Sequence, residues 1–134
     1  MGISFTIYPL GRLVKYTVEG IVTPDDARAF LDTVLSHPRF ERGFMFLGDR
    51  RWVAEPDAAY IRAMDQEIRT RLTLLMPCRW AVVVSTPAAF AAVRAWGTLL
   101  HGSGVEVVPF MSMEAASDWV ATGTTDRHSI SGAH

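Results

Sequence analysis

Asp49, Arg50, Arg51 and Trp52 follow directly on the apolar run Phe44-Met45-Phe46-Leu47-Gly48. A carboxylate and two guanidiniums at the end of a buried strand can hold an anion or polar ligand, because arginine presents a planar fork of donors. Ligand sites in open α/β sheets tend to lie at the carboxyl ends of such strands. The plainer alternative is a solvated loop with one structural ion pair. Ser85-Thr86-Pro87 closes a second apolar run, Arg79 to Val84. If the two strands are parallel neighbours, its hydroxyls and the amides opening the next helix join the same edge, a setting that favours anions. Thr86 also has a simpler use, as the N-cap of that helix. Arg94, further along the helix, is a candidate partner for Asp49.

Other constellations explain themselves without chemistry. His101-Gly102-Ser103-Gly104 lacks the G-x-S-x-G frame and precedes a strand, where a nucleophile elbow follows one. It reads as a helix C-terminus. The histidines, His37, His101, His128 and His134, are scattered, and with Cys78 they give no metal-ligand spacing. Gly48 stands alone and no lysine follows it, so no phosphate loop is present. Lys15, the only lysine, fits a solvent-facing strand position. Trp80, Trp96 and Trp119 sit on core-facing patterns, whereas Trp52 falls in a loop, free for stacking or an interface. An acid-base set of Tyr8, Asp49 and Arg94 can be imagined, but no spacing couples them. The expectation is a protein that is not an enzyme and carries no cofactor or metal.

The elements that must position these residues follow from pattern. Ile3 to Tyr8 and Leu13 to Glu19, separated by Pro9-Leu10-Gly11, read as an antiparallel hairpin. Thr23 caps a first helix with Pro24 at its first position and Asp25 and Asp26 at the positive dipole end. Ala27, Phe30, Leu31, Val34 and Leu35 form its apolar stripe, and Ser36-His37-Pro38 ends it. After the strand that ends at Asp49, Asp57 opens a longer helix with Ala58, Ile61, Met64, Ile68 and Leu72 inward and Arg62, Gln66 and Arg69 outward. Asp65 pairs with Arg69 four residues on, and Pro77 stops the segment. Arg79 to Ser85 is a buried strand, and a third helix follows with Phe90, Val93, Trp96, Gly97 and Leu100 inward. Val105 to Phe110 is the last strand, placed at an edge by Pro109. Ser112 caps a final helix with Ala116, Trp119 and Val120 inward.

Strands alternating with helices after a hairpin define an α/β class: a mixed, mostly parallel five-stranded sheet with about four helices. Residues 1–121 read as one domain and residues 122–134 as a disordered tail. At 134 residues the chain buries roughly two thirds of its unfolded surface. Hydrophobic residues make up 49%, with mean hydropathy +0.16, an apolar excess that suggests surface used between subunits or under a ligand. The net charge of −1 supplies no field for nucleic acid or an anionic membrane. No apolar run reaches the ~20 residues of a membrane span, no signal peptide is visible, and a lone cysteine fits a reducing compartment. The expected location is cytoplasmic.

Taken together, Gly20-Ile21-Val22-Thr23, the strand ending in Asp49-Arg50, Arg79-Trp80-Ala81-Val82-Val83-Val84, Arg94, and Phe110-Met111-Ser112-Met113-Glu114-Ala115-Ala116-Ser117-Asp118-Trp119 resemble the SpoIIAA-like, or STAS-like, bacterial proteins. The similarity covers about residues 3 to 121. It implies successive β-α turns on a mixed sheet. In the anti-sigma antagonists of that fold, a serine or threonine just after an aspartate at the third strand's end is phosphorylated. Here Arg50, Arg51 and Trp52 follow Asp49, so that phosphoswitch does not carry over. Some relatives of this pattern are grouped with lipid-binding Sec14-like domains. The leading expectation is a non-enzymatic regulatory or protein-interaction domain, homodimeric, acting through Asp49, Arg50, Arg51, Trp52, Ser85, Thr86 and Arg94. The alternative is a binder or sensor of a small lipidic or anionic molecule, with methionines such as Met45 and Met64 as adaptable walls.

Overall fold

The computed structural model describes residues 2–53 and 56–122. The expected tail from residue 123 onward lies outside them. Two strands, β1 (Gly2–Tyr8) and β2 (Leu13–Glu19), pair antiparallel, and β3 (Met45–Asp49), β4 (Cys78–Val83) and β5 (Val105–Phe110) add in parallel. The order is β1-β2-β3-β4-β5, each strand beside its neighbour in sequence. The fold is therefore α/β with one antiparallel pair, as the pattern predicts, and Pro109 does lie in an edge strand.

Helices α1 (Pro24–Leu35), α2 (Ala58–Arg69) and α4 (Pro87–Leu99) supply the crossovers. Parallel crossovers share one hand, so a monotonic strand order puts all three on one face. Their apolar stripes close over Val14, Tyr16, Val18, Phe46, Trp80 and Val82. The final helix, α5 (residues 113–122), covers the other face, where Ala116 and Val120 meet Met45, Leu47, Ala81 and Val83. Arg79 ties α5 down: its Nη1 donates to the Trp119 carbonyl at 3.0 Å and its guanidinium lies over the Trp119 ring.

Local signals explain the boundaries. The Thr23 hydroxyl accepts from the Asp26 amide while the Asp26 carboxylate accepts from the Thr23 amide, a complete capping box. Asp57 and Thr86 cap α2 and α4 in the same way with single bonds. The one helix that departs from expectation is α2, which stops at Arg69 instead of running on through Leu72. In a continuing helix the Glu67 carbonyl would accept from the Arg71 amide. Instead it takes the Thr70 hydroxyl and the Arg71 guanidinium, and the Arg71 amide turns to Ile68. Arg71 also reaches Asp32 on α1. A short α3 (Leu72–Leu75) follows, so the described residues form five helices where the pattern gave about four. Leu75, not Leu72, is its buried residue, and Ala58 is exposed.

An aromatic layer fixes the centre of the sheet. Phe46 and Trp80 stack at 4.2 Å, nearly parallel, and Trp80 Nε1 donates to the Tyr16 hydroxyl at 2.8 Å. The Tyr16 ring lies across Gly48, where an added Cβ would sit on the ring itself. Gly97 similarly lets α4 approach the Val107 carbonyl. Replacing Gly48 by alanine should therefore cost about 1–3 kcal/mol, the usual range for overpacking a core, read as a lower urea midpoint. An unchanged midpoint would show that the ring moves freely aside.

Candidate functional site

Period-two alternation decides what the end of β3 can do. Met45 and Leu47 face α5, while Phe46 and Gly48 face the three crossover helices. Asp49 continues the first series and Arg50 the second, so the two side chains leave on opposite sides of the sheet. The expected cluster is split by the pleat.

On the α5 side, Asp49 is the one buried charged residue among those described, at 7% exposure. Arg51 folds back on it: Nε donates to Oδ1 at 3.0 Å, Nη2 to Oδ2 at 2.9 Å, and the Arg51 amide to Oδ1 at 3.0 Å. Burial pushes the Asp49 carboxyl up, but the bonds from the Arg51 side chain and amide, its charge and a bond from Trp52 outweigh it. The net shift is downward. The Arg51 guanidinium also lies over the Trp52 ring, 5.6 Å from its centroid, and Trp52 is 68% exposed. Ser85 reaches across from the end of β4, its hydroxyl donating to the Arg51 carbonyl at 3.1 Å. The structure thus joins Asp49, Arg51, Trp52 and Ser85 in one assembly. The Thr86 hydroxyl is spent on the Ala89 amide as an N-cap.

Arg94 is not part of it. Asp49 takes its hydrogen bonds from Arg51, and Arg94 lies over the Phe90 ring on α4, beside a groove against β5. Nor can Tyr8 join. It pairs with Leu13, which pairs with Met45 at the start of β3, whereas Asp49 ends that strand. The imagined acid-base set is spread over two ends of the sheet.

On the other side, Arg50 enters the layer beneath the crossover helices, its guanidinium 5.4 Å from the Tyr60 ring centroid. There it lines a cavity of about 20 Å³ together with Tyr16, Trp80, Trp96, Tyr60 and Met64. Burial pushes the Tyr16 phenol far above its usual range, the bond from Trp80 acting against it. Burial also raises Tyr60, while the Arg50 charge and hydrogen bond oppose the rise. Both phenols keep their protons at neutral pH. This cavity is absent from the sequence reading, which placed Trp80 and Trp96 in the core and went no further. One signal pointed to it: an isolated glycine in a strand marks a close approach, and here Tyr16 makes it.

Crevices in open α/β sheets form where the strand order reverses, and this order never does. Among the described residues no helix is long and apolar enough to cross a membrane, and no group of three or more His, Cys, Asp or Glu could hold a metal ion. No model of a known protein family matches the chain, and no curated protein matches it significantly. The STAS-like resemblance rests on its residue pattern alone.

A carboxyl held below its unfolded value contributes stability above about pH 4 that is lost as pH falls through the folded value. Asp49→Asn should lower the urea midpoint at pH 7, and the gap from wild type should close below about pH 4. A gap that stays constant down to pH 2 would contradict the ion pair.

Proposed function

We propose that this domain is a non-enzymatic binding module of regulatory or protein-interaction type. Its contact surface is Trp52 with Arg51 and Ser85, and its partner is another polypeptide or a second copy of the chain. One observation carries the reading: a largely exposed tryptophan lies beside an arginine whose guanidinium is clamped by a buried carboxylate. Tryptophan and arginine dominate the energetics of protein interfaces. An arginine already fixed in position loses little freedom on binding. The clamp also removes Asp49 from acid-base work, which favours contact over catalysis. A STAS-like relationship fits this reading, without the hydroxyl that the phosphoswitch of that fold would need.

A second reading, a binder of a small anionic or lipidic molecule, has its own support in the cavity under Arg50. Trp96, 4% exposed, lines that cavity, and its indole Nε1 is buried with no hydrogen-bond partner among the described residues.

Native mass spectrometry of the protein purified from its own host tests the first reading. The expected result is a homodimer or a complex with a second polypeptide, lost in Trp52→Ala. The melting temperature of that variant should stay within about 3 °C of wild type, as for other surface changes. A monomer without associated chains, or association indifferent to the substitution, would overturn it.

A further inference from the structure

Three of the large apolar side chains left exposed share one end of the sheet. Ile21 is 83% exposed, Trp52 68% and Met111 51%. Thr17, Asp49, Val83 and Phe110 stand level across β2, β3, β4 and β5. Ile21, Trp52 and Met111 follow the ends of β2, β3 and β5 by one to three positions. Ser85, bonded to the Arg51 carbonyl, holds the place after β4. The three apolar residues therefore form a row along the carboxyl edge, with Trp52 between the other two. Single exposed apolar residues are ordinary, whereas a set sharing one edge marks a contact surface.

The spacing of the row narrows what can lie on it. Neighbouring strands are about 4.8 Å apart, so Ile21 and Trp52 follow strands about 5 Å apart and Trp52 and Met111 strands about 10 Å apart. An α-helix rises about 1.5 Å per residue, and apolar residues at i, i+3 and i+10 meet that spacing from one face. An extended segment finds no ladder to join here, because the row crosses strand ends instead of following an edge strand.

Charge narrows it further. Glu19 is exposed two residues before Ile21, and Glu114 is exposed three residues after Met111. Asp25 and Asp26 open α1 just beyond Ile21. At the centre, the Arg51 charge is met by Asp49. The described residues thus place acids at both ends of the row. A second copy presenting the same edge would set acid against acid, and an anionic lipid surface would be repelled likewise.

We infer that the carboxyl edge receives an amphipathic helix of a different polypeptide, its apolar stripe on Ile21, Trp52 and Met111 and its lysines or arginines over Glu19 and Glu114. This rests on the reading of Trp52 as a contact residue and names the form and charge of the partner.

Fluorescence anisotropy with the full chain and a labelled helical peptide of about 18 residues tests it, long enough to hold a helix. The peptide carries leucines at i, i+3 and i+10 and lysines at both ends. Saturable binding is expected, at least about tenfold tighter than for the same peptide with glutamates replacing the lysines. Ile21→Ser and Met111→Ser should each weaken binding about fivefold or more without lowering the melting temperature. Leu74→Ser, exposed before the start of β4, should leave it unchanged. No saturable binding, equal affinity for the glutamate peptide, or a preference for phosphatidylglycerol vesicles would overturn the inference. A homodimer broken by Ile21→Ser would make the occupant a second copy and overturn it as well. If Trp52→Ala weakens binding while Ile21→Ser and Met111→Ser do not, this inference falls and the reading of Trp52 stands. If Trp52→Ala changes nothing here or in native mass spectrometry, that reading falls with it.

Discussion

The Tyr16 ring, laid across Gly48 and held by the Trp80 indole, is the contact on which the rest of this structure depends. Because that strand position has no side chain, β2 can send a full aromatic ring over β3 and still close the layer beneath the helices. The Phe46–Trp80 stack and the Trp80–Trp96 edge contact extend it toward α4. Large flat side chains meeting at fixed angles do not fill space as branched aliphatics do, and the small cavity beneath Arg50 is what they leave.

The pleat then divides the polar end of β3. Asp49 and Arg51 close on each other on the α5 side and present Trp52 outward, while Arg50 turns under the crossover helices toward Tyr60. Three consecutive charged residues thus serve two sides of the sheet, one with an exposed tryptophan and one enclosed. Among the described residues, neither brings an acid, a base and a nucleophile together.

Much of this was legible in the chain because the cues were local. Thr23-Pro24, Asp57 and Thr86-Pro87 state where helices begin, and Pro109 states where the sheet ends. The link between Ser85 and the Asp49 edge followed from parallel neighbours alone. What escaped was long-range. The end of α2 depends on Arg71 reaching both Glu67 and Asp32, and no periodicity records that. Arg94 looked available to Asp49 because helix phase relative to a strand is set by packing. Arg50 and Arg51 looked equivalent because adjacency in sequence hides the alternation of the strand. The cavity needs Tyr16, Tyr60 and Trp96 from three separate elements, and only the lone glycine at 48 hinted at their meeting.

The central claim is that Arg50 and Arg51 do different work on opposite sides of one sheet. Native mass spectrometry of Arg50→Met and Arg51→Met reads the subunit count and any associated chain in one spectrum. The account predicts that Arg51→Met loses the associated chain while Arg50→Met keeps it. Both variants losing it, or neither losing it, would contradict the account.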